Sequence, residues 1–300
     1  MQAIPSASRR SFCKTVALAA CGGIFPMPSL SPAAEVDPRR DLFSAMGISG
    51  TLDKAAFLKE MGADFLTESV GAFLVPDKDD AEFAKHLEKL KSSPLPVLAC
   101  NGFIRPAHLR AVGKEANHDE IMTWSETAFR RLQQAGGKFI VFGSSGARAI
   151  KDQWPREKAD EQFVALLKRM GAAARPHGVT VVVEQLQESE CNYINRIGEA
   201  ARLIRMANHP HVRLLADLFH MSRMGDTPQD LKEAMDVVAH IEIAENQDRT
   251  YPGIQGDDFR PFFRVLRDAG YQGAVSIEGR GDDDQIKPAF AEIRKQAASL

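Results

Sequence analysis

Eight short apolar runs alternate with stretches of helical periodicity from about residue 41 to the end of the chain. Each run is hydrophobic at consecutive positions, as expected of a strand that is covered on both faces. The stretches between the runs place apolar residues three and four positions apart, which is typical of amphipathic helices. The runs predicted to be strands are residues 42–46, 64–68, 96–101, 138–143, 179–184, 212–217, 238–244 and 273–278.

This alternation predicts a single α/β domain, a (β/α)8 TIM barrel, over residues 35–300. A doubly wound open sheet is the alternative, but the phosphate-binding pattern GxGxxG is missing after the first predicted strand. The sequence shows neither an interdomain linker nor an internal repeat. We therefore expect one barrel, with its chemistry at the carboxyl ends of the strands.

The charge balance excludes several classes of partner. The chain has 38 Lys and Arg against 40 Asp and Glu, a formal net charge of −2, with 44% hydrophobic and 26% charged residues. A nucleic-acid binder needs an excess of basic residues to neutralise phosphates, so we expect no nucleic-acid partner for this chain. The composition is that of an ordinary globular protein, and no membrane span is expected.

The first residues resemble an export signal. The sequence SRRSFCK, residues 8–14, precedes an apolar run to about residue 30 and the small residues SPAA. This order is similar to a twin-arginine signal, which predicts a signal peptide over residues 1–34 and a periplasmic protein. Lipidation at Cys21, after Leu18-Ala19-Ala20, is a less favoured alternative. The other reading is a disordered N-terminus with a chance arginine pair.

Acidic residues close several of the predicted strands. Glu184 ends the fifth strand, Asp217 the sixth and Glu278 the eighth, and His220 follows Asp217 by three residues. In a barrel these carboxylates meet at one mouth, where like charges cannot all stay ionised without a cation between them. Oxygen ligands favour Mn²⁺, the preferred assignment, or Mg²⁺, with Co²⁺ or Zn²⁺ as substitutes. For any single residue, the alternative is a carboxylate that caps the next helix.

The seventh strand adds two candidates on one face, His240 and Glu242, because residues two apart point the same way. Glu242 lies nearer the mouth and is the better candidate for a fourth ligand, while His240 is either a buried, hydrogen-bonded core residue or a support for the ligands. Glu68 and Asn101, at the ends of the second and third strands, are candidates for contacts to the substrate.

Four segments of the chain resemble sequences of one known family. They are VEQLQESECNYIN (183–195), LADLFHM (215–221), HIEIAENQDRTYPG (240–253) and GYQGAVSIEG (270–279). Together they resemble the sugar phosphate isomerase/epimerase family of xylose isomerase-like TIM barrels, in the branch of ketose 3-epimerases and hydroxypyruvate isomerase. The resemblance extends over essentially all of the chain after the predicted signal.

The resemblance implies a role for each site residue. One divalent metal is bound by Glu184, Asp217, Glu242 and Glu278, and two of these, Glu184 and Glu278, are also the acid and base groups. Substrate oxygens are held by Glu190, His220 and Arg249. Glu242 is a departure, since relatives usually carry His there, or Gln in the hydroxypyruvate branch. Dimers and tetramers are common among such barrels, so a homo-oligomer is a further expectation.

Such a site predicts proton transfer through an enediolate, giving epimerisation or isomerisation of a sugar or keto-sugar such as a 3-keto-glycoside. The loop after the fourth strand, GSSGAR (143–148), offers small residues and a cation for a phosphate, but we favour a tight turn in which Arg148 pairs with an acid. The rival functions are an exported sugar-binding barrel without catalysis and, less favoured, an apurinic-endonuclease-like metal hydrolase.

Overall fold

The computed structural model describes residues 41–300 as a closed barrel of eight parallel strands. The strands pair in sequence order, and β1 pairs with β8 to close the sheet. This confirms the predicted TIM-barrel fold. The strands are β1 Met46–Ser49, β2 Phe65–Ser69, β3 Val97–Asn101, β4 Phe139–Phe142, β5 Thr180–Glu184, β6 Val212–Asp217, β7 Val238–Ile243 and β8 Val275–Ile277.

Helices follow the strands in the (β/α) order. Within residues 41–300 they are α1 Ala55–Met61, α2 Asp80–Lys91, α3 His118–Gln134, α4 Ser145–Arg148, α5 Arg156–Ala174, α6 Ile197–Ala207, α7 Leu218–Met224, α8 Pro228–Ala234, α9 Arg260–Asp268 and α10 Ile286–Ala298. Shorter turns of 3-10 or π geometry are Leu52–Lys54, Val70–Leu74, Arg175–His177 and Asp283–Gln285. None of these described helices has the length and apolar character needed to cross a membrane.

The first strand begins later than its apolar pattern suggests. Residues 42–46 were the predicted strand, but β1 starts at Met46. Phe43 instead packs edge-on against Phe263 of α9, with ring centroids 5.3 Å apart, and belongs to the outer core. Gly47 leaves space in the barrel for the ring of Phe65, from which a Cβ atom would lie only 2.2 Å away. A short, glycine-containing strand therefore follows an apolar segment that is not a strand.

Two apolar layers hold the barrel together. The larger layer lies between the sheet and the helices and includes residues of every strand. The smaller layer fills the barrel interior and comprises Ala99, Phe139, Val141, Val182 and Leu215. Neighbouring positions on a strand face opposite ways, so positions two apart face the same way. The residues two positions beyond Val182 in β5 and beyond Leu215 in β6 therefore also face the interior, at its mouth.

Two predictions concern the rest of the chain. The export signal over residues 1–34 and the lipidation of Cys21 fall outside the described residues, and they stay predictions. Cys100 and Cys191 are both buried and form no disulfide with each other.

Candidate active site

The last four strands bring four carboxylates together at the mouth. Asp217 of β6 is in register with Glu242 of β7, and Glu242 is in register with Ser276, two residues before Glu278. Glu184 closes β5 and faces the same interior. One oxygen atom from each of the four carboxylates lies within 4.8 Å of the others. Four negative groups at this separation repel one another strongly.

Glu242 is the most constrained member of this acidic cluster, which we define as Glu184, Asp217, Glu242 and Glu278. Its side chain is fully buried, and neither of its oxygens accepts a hydrogen bond from any residue of the described chain. Burial, followed by the charges of Glu278, Glu184 and Asp217, raises the pKa of Glu242 well above its ordinary value. A divalent cation among these oxygens would satisfy the unpaired carboxylate, so the residues fit a metal ion with oxygen ligands.

Glu278 is held on both sides at the rim of the mouth. Asn101 Nδ2 donates to one carboxylate oxygen over 2.8 Å, and Arg249 Nη2 donates to the other. Burial raises the pKa of Glu278 to about 7, with Arg249 opposing the rise and the Glu184 and Asp217 carboxylates adding to it. A carboxyl group with a pKa near neutrality can both take up and release a proton at physiological pH.

Arg249 reaches the acidic cluster from the loop after β7. Its Nη2 atom donates to Asp217 Oδ2 over 2.9 Å, and its Nε donates to the backbone carbonyl of Glu278 over 2.9 Å. The guanidinium lies over the ring of Phe219, 4.8 Å from the centroid, and its Nη1 is 3.8 Å from Glu190 Oε1. These contacts place one fixed cation beside the four carboxylates.

His220 forms a second wall of the site from the start of α7. Its Nδ1 atom accepts a hydrogen bond from the backbone N–H of Gln187 over 3.2 Å, which leaves Nε2 directed at Glu184 and Asp217, 3.5 and 3.6 Å away. Burial lowers the pKa of His220, but the charges of Asp217 and Glu184 outweigh it and the net pKa is raised. A neutral imidazole with this bond at Nδ1 carries its proton on Nε2, facing the site.

Glu190 and Asn101 lie beside residues of the active site, whereas Glu68 is bonded to backbone groups outside it. Glu190 Oε2 lies 4.0 Å from His220 Nε2. Glu68 accepts hydrogen bonds from the backbone N–H groups of Leu52, over 2.7 Å, and Ser69, over 3.2 Å. Its contacts therefore order the loops after β1 and β2.

Beneath the carboxylates lies His240, which is fully buried and packs on the ring of Phe139 with centroids 5.1 Å apart. Its ring nitrogens find no hydrogen-bond partner within residues 41–300. Burial, and secondarily the charge of Lys138, lowers the pKa of His240 to about 3, so the ring is neutral. Of the two roles considered from the sequence, the contacts favour the core residue, but the hydrogen bond expected for it is absent among the described residues.

Gly143, at the end of β4, makes room for Glu184, and sequence reasoning missed this role. A Cβ atom at Gly143 would lie 2.2 Å from Glu184 Oε2, much closer than van der Waals contact permits. The glycine therefore lets the carboxylate extend across the mouth. A glycine that ends an apolar run was the one available signal, and it was attributed to a turn.

The loop after β4 is a tight turn, but Arg148 pairs with no acid among residues 41–300. Ser144 is left-handed, with φ of 37°, and Arg110 donates to the carbonyls of Gly146 and Ala149. The prediction of an ion pair for Arg148 is wrong: its side chain is fully buried, and Nη1 donates to the carbonyl of Phe142 over 3.3 Å. This backbone carbonyl, at the end of β4, is the acceptor in place of an acid.

Comparisons with known proteins agree with this architecture. Residues 55–300 match the family described as "Xylose isomerase-like TIM barrel". The 3-dehydro-D-guloside 4-epimerase of Escherichia coli (strain K12) is 30% identical over 244 residues, which is 76% of this chain and 87% of that protein. An inosose isomerase of Bacillus licheniformis is 26% identical over 175 residues, 55% of this chain and 62% of that protein.

A solved structure has the same fold. The apo crystal structure of 3-keto-D-glucoside 4-epimerase from E. coli superposes with a TM-score of 0.71 at 24% sequence identity. The superposition covers 84% of this chain and 99% of that one. The barrel described above is therefore shared over nearly the whole length of a sugar epimerase.

Proposed function

Because this chain belongs to the xylose isomerase-like TIM barrel family, we propose that it is a divalent-metal-dependent isomerase or epimerase of a keto-sugar, with 3-keto-glycosides among the candidates. The relatives reported above are sugar epimerases and isomerases. The observation that carries the proposal is the acidic cluster, in which four carboxylates converge and Glu242 has no hydrogen-bond partner among the described residues.

The four carboxylates would hold one divalent ion, with Mn²⁺ preferred and Mg²⁺, Co²⁺ or Zn²⁺ as alternatives. When bound, such an ion supplies Lewis-acid polarisation of a carbonyl oxygen and the hydroxyl oxygen beside it. Three of the four groups have further contacts that fix their orientation. These contacts are His220 Nε2 at 3.5 Å from Glu184, Phe219 N–H on Asp217, and Asn101 on Glu278.

Glu184 and Glu278 are the proposed acid and base groups, in line with the resemblance of their segments to the family. They close strands β5 and β8, which are separated by two strands, and they approach the centre of the mouth from different sides. One carboxylate takes the proton from the carbon beside the carbonyl, and the other returns a proton to the opposite face. The product is the epimer, or the isomer if the proton returns to the adjacent carbon.

His220, Glu190 and Arg249 are the proposed contacts to substrate oxygens. His220 presents a donor and Glu190 an acceptor, while Arg249 presents its guanidinium at the same opening. The loop after β4 does not favour a phosphate, because Arg148 is buried and Arg110 is bonded to carbonyl groups. We therefore favour an uncharged sugar over a sugar phosphate.

The direct test is proton exchange. Metal-loaded protein is incubated in deuterated water with a panel of keto-sugars and 3-keto-glycosides, and deuterium at each carbon is followed by NMR. Exchange at one carbon beside the carbonyl is expected for one or more members of the panel. Glu188→Gln, an exposed acid in the loop after β5, is the control variant and should exchange at the rate of the wild type.

Two other results would replace this proposal. A barrel that binds a sugar and exchanges no carbon-bound proton would be a sugar-binding protein. A content of about three zinc ions per chain, instead of about one ion, would indicate the metal-hydrolase class. The chain has Glu68, Asn101 and Glu242 at strand ends where that class needs several histidines, which argues against it.

We also propose that the protein is exported through the twin-arginine pathway. The support is the sequence of residues 8–34, with its Arg9-Arg10 pair. Cell fractionation of the wild type and of the Arg9→Lys/Arg10→Lys variant tests it, since the variant should stay in the cytoplasm. An equal distribution of the two proteins would contradict export by this route.

A further inference from the structure

Glu245 lies just beyond β7, and its carboxylate is surrounded by hydrogen-bond donors of the loop that follows. The side chain is fully buried. The donors are Thr250 Oγ1 at 2.9 Å and the backbone N–H groups of Gly253 at 2.7 Å, Gln255 at 2.5 Å, Gly256 at 2.9 Å and Asp257 at 3.2 Å. Backbone dipoles that converge in this way stabilise a buried anion in place of a counter-ion.

These bonds close the loop of residues 246–257 on itself. The backbone N–H of Glu245 donates to the carbonyl of Thr250 over 2.9 Å. Gly253 and Gly256 have φ of 97° and 84°, conformations that favour glycine, and both direct their N–H groups at the carboxylate. One buried side chain therefore accepts five of the hydrogen bonds that hold the loop together.

The closed loop includes the arginine of the active site. Asp248 and Arg249 have φ of 57° and 54°, and two consecutive non-glycine residues in the left-handed region are strained. The carbonyl of Arg249 accepts a hydrogen bond from the N–H of Arg280 over 2.8 Å. The next residue, Thr250, donates to Glu245. The strained turn is thus held by contacts at Arg249 and at the residue that follows it, and strain of this kind persists only where the surroundings hold it in place.

We propose that Glu245 is a positioning residue, whose carboxylate holds the loop in the conformation that directs Arg249 into the acidic cluster. The proposal rests on the proposed function, in which Arg249 contacts the substrate. Glu245 does not act as an acid or base, because its two oxygens already accept five hydrogen bonds and are sealed from solvent.

Hydrogen exchange tests the structural part of the proposal without any substrate. In Glu245→Gln the amide NH₂ group opposes the backbone donors, so the N–H groups of residues 253–257 should exchange on the order of tenfold faster than in the wild type. Thr250→Val removes one donor and should give a smaller increase in the same amides. Exchange in these amides at the wild-type rate in both variants would overturn the proposal.

The link to Arg249 is tested by a double-mutant cycle on two readouts, kcat/KM and the Kd for Mn²⁺. If Glu245 acts through Arg249, the Glu245→Gln and Arg249→Gln variants change each quantity in the same direction, and the double variant changes it no further than Arg249→Gln alone. Additive effects would overturn the proposal, since they would mean that Glu245 acts on the stability of the barrel independently of Arg249.

The proposed function can fail separately. If the wild type exchanges no carbon-bound proton of any sugar tested, the epimerase proposal fails, while amide exchange and the Mn²⁺ titrations still decide the role of Glu245. Glu245→Asp keeps the charge with a shorter reach, and partial recovery of the amide protection relative to Glu245→Gln is expected. No recovery, together with an unchanged Kd for Mn²⁺ in both variants, would contradict positioning by the carboxylate.

Discussion

The Nη2 atom of Arg249 lies 2.9 Å from Oδ2 of Asp217, so a cation belonging to the chain shares one of the carboxylates that are grouped for a metal ion. The same atom donates to Glu278, while Glu242 is not among its hydrogen-bond partners. The guanidinium therefore donates hydrogen bonds on one side of the acidic cluster and leaves its deepest carboxylate, Glu242, without a hydrogen bond among the described residues.

This arrangement predicts that Arg249→Gln binds Mn²⁺ more tightly. Removing a positive charge beside two of the four ligands lowers the repulsion that an incoming cation meets and frees oxygens for it. We expect Kd to fall by about tenfold, or about 1.4 kcal/mol. Isothermal titration with MnCl₂ measures this Kd. The control is Arg223→Gln, at an exposed position whose side chain is bonded, among the described residues, only to Gln187. Weaker binding in Arg249→Gln would show that Arg249 supports the ligands and does not compete with the ion.

Gly143→Ala should impair the active site while the barrel stays folded. The new methyl group would lie about 2.2 Å from Glu184 Oε2, so the carboxylate must move away from the mouth. Mn²⁺ affinity and turnover are expected to fall by about 100-fold, because a misplaced ligand loses both metal binding and orientation. Gly146→Ala is the matched control, since nothing lies within 4 Å of its new Cβ atom. Unchanged Mn²⁺ binding in Gly143→Ala would contradict the role given to Glu184.

Glu242→Gln should stabilise the metal-free protein at neutral pH. The folded-state pKa of Glu242 lies above its ordinary value, so the folded chain keeps a proton that the unfolded chain releases. Stability from this group is therefore present at low pH and lost as pH rises above the unfolded pKa of about 4.3. The variant should exceed the wild type by at least about 1 kcal/mol at pH 8, and by less at pH 4.5.

Urea unfolding of both proteins in EDTA measures this difference at each pH. A stability difference that is constant with pH would show that Glu242 does not titrate as described. With Mn²⁺ present the order should reverse, because the variant lacks one charged ligand. Glu242→His, which restores the residue usual in relatives, should keep metal binding.

Glu184→Gln and Glu278→Gln should each lose turnover by about 10²–10⁴-fold while the barrel stays folded. If the two carboxylates serve opposite faces of the sugar, each variant keeps one half of the proton exchange. One variant should then exchange the proton of the substrate epimer only, and the other that of the product epimer only. Loss of exchange from both epimers in both variants would indicate that the two groups act as a single unit.

The acidic cluster could be predicted because each of its members interrupts or ends an apolar run. Glu184 and Asp217 close β5 and β6 in the structure as they do in the pattern. The start of β1 could not be predicted in this way. Phe43 is apolar because it packs in the outer core, and the strand itself contains Gly47. Pattern reports burial, and a buried residue need not be in a strand.

The hydrogen-bond partners of Glu245 and Arg148 also could not be predicted from the sequence. Glu245 is bonded to backbone N–H groups, which every residue except proline possesses, so no residue type marks its partners. Arg148 is expected from the sequence to pair with an acid, but it donates to a backbone carbonyl. Every residue has such a carbonyl, so no residue type marks this partner either. Side-chain partners can be inferred from composition, whereas backbone partners require the path of the chain.

The four carboxylates of the acidic cluster lie in or directly after strands β5 to β8, while the first four strands and the residue after β4 contribute Asn101 and the space at Gly143. The proposed metal ligands and the proposed substrate contacts Glu190, His220 and Arg249 are thus encoded in the same half of one gene. Directed evolution toward new substrates should begin in that half.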